Sequence, residues 1–341
     1  MGAATNESTY LKKEIFLASP LAAQFSAVKK DALDAIGNTP LVDVSILSPD
    51  PMVRIYGKLE SVNPTGSVKD RAARSLIEDA EQKGLIKPGD TILEPTSGNT
   101  GLGLALVGTI KGYHVKVVMP ASVPPERVQL LEAYGAEVIF SPANKGTNES
   151  IVMAQHIAEE NPSYFMPFQY GNEANPYAHY TTTGPEIVRD MPDVDVFVAG
   201  LGTGGTLMGV GRALREHNPD VQIIATAPHP DDKVQGLRSI EDGYIPPILD
   251  LDKLDGRILI EGEEAFDWTR KLLTDAGFFV GVSSGATFAT ARKIAQKMSD
   301  EGREGKIVVM FADGGWKYLS TGIYGEDFKF SQAEIEGKTW W

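Results

Sequence analysis

A lysine follows a tight turn in the segment Asn63-Pro64-Thr65-Gly66-Ser67-Val68-Lys69-Asp70-Arg71. Asn-Pro and Thr-Gly mark the turn. Val68, Ala72, Leu76, Ile77 and Ala80 then lay down an apolar stripe at helical intervals. Lys69 falls in the first turn of that helix, where a cation opposes the helix dipole. Two readings stand. One is a solvated surface lysine paired with Asp70 or Glu60. The other is an amine kept neutral, or consumed in an imine, for use as nucleophile or base.

Three further junctions combine glycine with hydroxyls. Glu94-Pro95-Thr96-Ser97-Gly98-Asn99-Thr100-Gly101 sits between a strand-like and a helix-like run. A helix start leaves N–H groups unpaired. With the hydroxyls of Thr96, Ser97 and Thr100 and the amide of Asn99, they form an anion cradle suited to a carboxylate. An ordinary N-cap needs only one such side chain. Gly200-Leu201-Gly202-Thr203-Gly204-Gly205-Thr206 again follows a strand-like run. Its glycines let a backbone approach closely, and the helix behind them aims its N–H groups at a phosphate. The string contains G-x-G-x-x-G, but a dinucleotide site expects an acid at the end of the next strand. That strand ends Thr226-Ala227-Pro228, and no Gly-Lys-Ser/Thr follows the glycines, so a single phosphate monoester fits better than a nucleotide. Gly281-Val282-Ser283-Ser284-Gly285-Ala286 opens another helix, with one of its two serines expected as the N-cap.

The elements that must position these junctions alternate along the chain. Strands are expected at Thr91–Glu94, Val115–Met119, Glu137–Phe140, Asp195–Ala199, Val221–Thr226 and Lys306–Phe311. Helices are expected at Gly98–Lys111, Pro125–Tyr134, Asn148–Glu160, Gly204–His217, Glu263–Ala276 and Ser284–Met298. The strands are short apolar runs, as in Ile307-Val308-Val309-Met310-Phe311, which marks parallel sheets covered on both faces by helices. The class is therefore α/β, with ligands expected at the carboxyl ends of strands.

Composition narrows the function. The 341 residues carry a formal charge of -14, which lacks the basic footprint of a nucleic-acid binder and disfavours anionic membranes. There is no cysteine, which removes disulfides, thiolate metal sites and a cysteine nucleophile. The 5 histidines include no i, i+4 pair, so no helical zinc motif appears and no metal is expected. No apolar run reaches the ~20 residues of a membrane span. Lys12-Lys13 with Ile15–Val28 faintly resembles a signal peptide, but Glu14, Pro20 and Gln24 interrupt it, and an N-terminal arm is the simpler reading.

Taken in order, these segments resemble the pyridoxal-phosphate enzymes of fold type II, and within them the cysteine synthases. Ile36-Gly37-Asn38-Thr39-Pro40-Leu41 looks like the family's opening signature. The resemblance implies that Lys69 carries the cofactor covalently, that Asn99 lies beside its 3-hydroxyl, and that Gly202, Thr203, Gly204, Gly205 and Thr206 cradle its phosphate. Ser283 would meet the pyridine nitrogen. Thr96, Ser97 and Thr100 would grip the substrate carboxylate, with Gln169, from Phe168-Gln169-Tyr170-Gly171-Asn172, alongside them. A closer resemblance is to the O-phosphoserine sulfhydrylase branch. There Arg238, in Val234-Gln235-Gly236-Leu237-Arg238, would bind the substrate phosphate, the alternative being a surface salt bridge to Glu241 or Asp242. The segment Ala312–Gly322 and the Trp340-Trp341 tail also look like that branch. Ala227 departs from relatives that carry Glu before the proline.

The resemblance further implies a tryptophan synthase β-like architecture of two doubly wound α/β domains. Residues 1–40 would be an arm, 63–172 a smaller domain, 41–62 with 173–325 a larger one, and 326–341 a tail. The expected reaction is β-replacement, forming L-cysteine from O-phospho-L-serine or O-acetyl-L-serine through an α-aminoacrylate. The sulfur would come from sulfide or a thiocarboxylated sulfur-carrier protein, in a cytoplasmic homodimer. The Trp340-Trp341 pair would cover the cleft, contact the sulfur-delivering partner, or dock on its own subunit. A serine or threonine dehydratase, a cystathionine β-synthase and a cofactor-free regulatory protein are the alternatives.

Overall fold

The computed structural model describes residues 28–325 except 97, 144, 145, 231, 233 and 242. The signal-like segment before Val28, Ser97 and the Trp340-Trp341 tail lie outside the described residues. Contacts divide the chain into units Met1–Ala35 and Ile36–Trp341. In the described part of the first, Asp31 Oδ1 accepts the N–H of Leu33 at 2.9 Å.

The second unit holds two sheets. The larger contains β1 (Leu41–Asp43), β2 (Val53–Leu59), β7 (Val196–Gly200), β8 (Gln222–Pro228), β9 (Gly256–Ile260) and β10 (Gly305–Phe311), in the order β1-β2-β10-β7-β8-β9. The smaller contains β3 (Thr91–Pro95), β4 (His114–Pro120), β5 (Glu137–Ser141) and β6 (Tyr164–Phe165), in the order β5-β4-β3-β6. All pairings are parallel except β1 with β2. The expected alternation of strand and helix is present, with bounds shifted by one or two residues.

Both faces of the larger sheet are core. Val196 and Val198 pack with Ile307, Val309 and Phe311 on one side, while Phe197 and Ala199 pack with Val308 and Met310 on the other. Successive side chains of a strand point to opposite faces, so a strand buried on both reads as an unbroken apolar run. Each such side chain contributes about 1.5–3 kcal/mol by leaving water.

β2 was not expected, although Val53 and Ile55 are buried. Arg54 and Lys58 break its apolar run. Lys58 is nonetheless wholly buried, because its ammonium meets Glu186 Oε2 at 2.8 Å. Glu186 also takes Arg71 at 2.7 Å, and Arg71 takes Glu60 at 2.8 Å. This buried charge cluster ties the opening of α1 (Lys69–Gln82) to β2 and to the helix Gly184–Asp190. Between that helix and Ala174–Ala178, residues His179–Thr183 form a wider π-helical turn.

Each sheet reverses its winding once. From β7 the chain steps outward to β8 and β9, then returns to place β10 on the other side of β7. From β3 it steps to β4 and β5, then places β6 on the other side of β3. Loops diverge at such switch points and leave a crevice beyond the carboxyl ends of the strands. The loops concerned follow β7, β10, β3 and β6, and they carry Gly200–Gly204, Ala312–Gly314, Thr96–Gly98 and Pro167–Gly171.

Candidate active site

The acids nearest Lys69 in sequence are engaged elsewhere, and its amine has no hydrogen-bond partner among the described residues. Val68 donates its N–H to Ala312 O at 2.8 Å, and Ser67 bridges to Asp313, so the end of β10 holds the entry to α1. Asp70 accepts the Thr65 N–H at 2.7 Å and the Thr65 hydroxyl, while Glu60 is committed to Arg71, Thr39 and Asn63. Neither acid pairs with Lys69, so the surface ion-pair reading does not hold. Burial drives the Lys69 amine below its ordinary pKa, opposed by the charge of Asp313. Lys69 lines a cavity at the crevice.

Thr96, Asn99, Thr100 and Gln169 line the same cavity. The helix Asn99–Lys111 has Gly98 at its N-cap position, and the Thr96 hydroxyl accepts the Gly98 N–H at 3.1 Å. Thr100 donates to Gln169 Oε1 at 2.6 Å. Gln169 is fixed by a residue that sequence reasoning passed over. The buried carboxylate of Glu94 accepts the N–H of Phe168 at 2.8 Å and of Gln169 at 3.0 Å. Burial pushes the Glu94 pKa up to about 8 against those two bonds. They also hold Phe168 at φ 52, a left-handed conformation costing a non-glycine residue roughly 1–2 kcal/mol.

Gly202, Thr203 and Ser283 complete that wall, and Gly204 and Thr206 line a smaller cavity that also touches Lys69 and Ser283. Gly205 lines neither. It opens the helix Gly205–His217, where a Cβ would sit 2.1 Å from Asn175 Oδ1. Thr206 meets His179 Nε2 at 3.3 Å. The expected serine cap is absent: the helix Val282–Asp300 has Gly281 at its N-cap position and no side-chain cap, and the Ser284 hydroxyl is buried without a partner. The Ser283 hydroxyl makes no hydrogen bond among the described residues and faces Gly236. That glycine has φ +84, and a Cβ there would lie 3.3 Å from Ser283 Oγ.

Arg238 lies at the same cavity and is 8% exposed. Its guanidinium stands 5.3 Å from the Tyr170 ring and 5.0 Å from the Tyr244 ring, and Nη1 donates to Asn148 Oδ1 at 3.0 Å. Glu241 pairs with Arg257 at 2.6 Å instead, and Asp242 lies outside the described residues. Among the described residues no carboxylate neutralises Arg238. Arg127, Thr147, Gln235, Asp313 and Tyr318 also line the cavity. Of these, Thr147 Oγ1, Gln235 Oε1 and Asp313 Oδ1 are buried without a hydrogen-bond partner among the described residues. Their placement after strand ends was the available signal. No group of side chains that could hold a metal occurs among the described residues.

A lysine amine and a serine hydroxyl, each without a hydrogen-bond partner among the described residues, stand with a glycine loop at a helix start around one cavity, and together they define a class. The sequence matches the family of pyridoxal-phosphate dependent enzymes over residues 32–313. It is 44% identical over 303 residues to a protein of Bacillus subtilis (strain 168) described as a probable cysteine synthase, covering 85% of this chain and 96% of that one. The crystal structure of O-ureido-L-serine synthase superposes with a TM-score of 0.82 at 38% identity, covering 90% of this chain and 98% of that one. The O-acetylserine dependent cystathionine β-synthase of Helicobacter pylori gives 0.80 at 38% identity, covering 87% and 99%.

The chain belongs to the pyridoxal-phosphate dependent enzymes and, within them, to the cysteine synthase family. Pyridoxal phosphate is its cofactor, and the cavity suits that group. The cofactor's aldehyde, phosphate and ring nitrogen call for an amine, a bare backbone cradle and a hydroxyl. Lys69, the loop residues Gly202, Thr203, Gly204 and Thr206, and Ser283 offer these around two cavities that share lining residues, and Gly236 leaves the space before Ser283 open. No helix among the described residues is long and apolar enough to cross a membrane.

Proposed function

We propose that this enzyme forms L-cysteine by β-replacement on O-phospho-L-serine, as the O-phosphoserine sulfhydrylase branch does. The observation that carries this reading is Arg238, a buried guanidinium at the lysine's cavity with no carboxylate partner among the described residues. A phosphate dianion matches a guanidinium with two parallel charged bonds, whereas an acetyl ester offers no charge to it. The unpartnered Thr147 Oγ1 and Gln235 Oε1 add polar atoms to the same cavity.

Bound pyridoxal phosphate supplies the electron sink that acidifies the substrate α-C–H. The protein does the rest. Gly202 to Thr206 hold the phosphate of the cofactor, Asn99 its 3-hydroxyl side and Ser283 its ring nitrogen. A neutral serine there leaves that nitrogen without the countercharge a carboxylate would give. Thr96, Ser97, Thr100 and Gln169 fix the substrate carboxylate and so aim the α-hydrogen. The Lys69 amine, which burial keeps from holding a proton tightly, takes that hydrogen and later returns it. Arg238 stabilises the departing phosphate.

We extend the reading to a sulfur donor that is sulfide or a thiocarboxylated carrier protein, to a homodimer, and to domains at 63–172 and at 41–62 with 173–325. The donor and the dimer rest on the family resemblance, and the domain bounds agree with the division of strands between the sheets. The deciding experiment compares Arg238→Ala on two substrates. kcat/KM for phosphoserine should fall on the order of a hundredfold, and that for acetylserine far less. Equal loss on both removes the phosphate role.

A further inference from the structure

Lys317 is a wholly buried ammonium that the chemistry above does not use. It lies in the 3₁₀ turn Gly315–Thr321, after β10. Its Nζ donates to Asn99 Oδ1 at 2.7 Å. Asn99 Nδ2 donates in turn to Asp313 Oδ2 at 2.7 Å, and the Tyr318 hydroxyl donates to that same oxygen at 2.7 Å.

The two ends of an amide have nearly the same shape, so its partners decide which way it faces. These partners permit one sense. An ammonium carries only donors, and an ionised carboxylate carries only acceptors. Turning the amide over would press its N–H₂ against the ammonium and its carbonyl against the carboxylate, leaving both contacts unfavourable. The second N–H of Asn99 is thereby the one left over, on a residue that lines the cavity.

We propose that Lys317 is a positioning residue: paired against Asp313, it locks the Asn99 amide so that one N–H is presented to the bound cofactor. This rests on the reading that sets Asn99 beside the cofactor's 3-hydroxyl. The charged groups acting on Lys317 are Asp313 from the strand end, Asp70 from α1 and Arg127 from the helix Pro125–Ala133, and the Trp316 ring lies 5.2 Å from the ammonium. Burial, with Arg127, outweighs the two acids and pushes the amine down to about 8. An uncharged amine accepts as well as donates, so the restriction on Asn99 relaxes above that pH.

The test uses holoenzyme of the wild type, Lys317→Met, Lys317→Arg, Asn99→Ala and the Lys317→Met/Asn99→Ala double variant. It reads the pH midpoint of the bound cofactor's visible absorbance and the cofactor's dissociation constant. Lys317→Met should move the midpoint by about half a unit or more and weaken cofactor binding about tenfold. Both effects should vanish in the Asn99→Ala background. A wild-type midpoint in Lys317→Met, or an equal shift in both backgrounds, overturns the proposal. If Lys317→Met does not fold, the comparison with Lys317→Arg decides. Arginine keeps its charge, so the alkaline spectral change near the Lys317 pKa should disappear, and its persistence overturns the lock. An Asn99→Ala spectrum identical to wild type refutes the placement of Asn99 itself, and the proposal with it.

Discussion

Arg238 Nη1 donates to Asn148 Oδ1 at 3.0 Å, across 90 positions of sequence. Asn148 belongs to the helix Gly146–Glu160, which packs on the smaller sheet, whereas Arg238 follows β8 of the larger one. The bond therefore spans the crevice and holds the guanidinium that the tyrosine rings flank. Asn148→Ala should loosen Arg238 without removing its charge. KM for phosphoserine should rise about tenfold, with kcat and acetylserine turnover little changed. Steady-state kinetics on both substrates checks this, and an unchanged phosphoserine KM counts against the anchoring.

Lys69 trades stability for reactivity. Its amine lies in protein surroundings without a hydrogen bond among the described residues, a burden on the folded state that a thioether would not impose. Lys69→Met should stabilise the cofactor-free protein by about 1 kcal/mol, a rise of roughly 1–2 °C in Tm. Turnover should fall by on the order of 10²–10⁴ or more. Borohydride trapping and peptide mass analysis should label residue 69 in the wild type and leave the variant unlabelled.

The buried charge cluster gives the enzyme an acid limit. Burial alone would raise the Glu186 carboxyl, but hydrogen bonds and charge from Arg71 and Lys58 hold it down to about 2. Its ordinary value is 4.5, so between those values the unfolded chain binds the extra proton. The stabilisation is complete above about pH 4.5 and is lost as pH falls toward 2. Glu186→Gln should cost about 3 kcal/mol at pH 7 and progressively less below pH 4.5. Urea unfolding at pH 7 and pH 3.5 measures the difference. A constant cost at both would refute the linkage.

Gly236 keeps the approach to Ser283 clear. A Cβ at its φ of +84 is strained by about 1–2 kcal/mol and intrudes to 3.3 Å from the serine hydroxyl. Gly236→Ala should lower cofactor affinity on the order of tenfold. The ratio of cofactor absorbance to protein after gel filtration reads it directly, and full retention would show that the space is not used.

The parts of this site that were legible in the sequence are those built from local chemistry. The Thr96–Thr100 loop and Gly202–Thr206 announce themselves because glycines and hydroxyls crowd a strand end, where a helix start needs at most one cap, whereas Lys69 and Ser283 drew their expected roles from the family resemblance. The parts that were not legible depend on partners far away. Glu94 matters through amides 74 and 75 positions on, and Lys317 through Asn99, 218 positions back. β2 was hidden by Lys58, a charge whose burial makes sense only once Glu186 stands beside it. The serine cap failed because Gly281, and not a serine, occupies the N-cap position of that helix.

The π-helical turn at His179–Thr183 sets how far the following helix is rotated. Such a turn holds one residue more than an α-helical one, and each residue advances a helix by about 100°. The wider turn spreads that extra residue over one revolution, so the following helix still presents Glu186 to Lys58 and Arg71. Length is therefore absorbed locally in this short stretch, and loss of one residue here should be tolerated better than loss of one from the regular turns that follow.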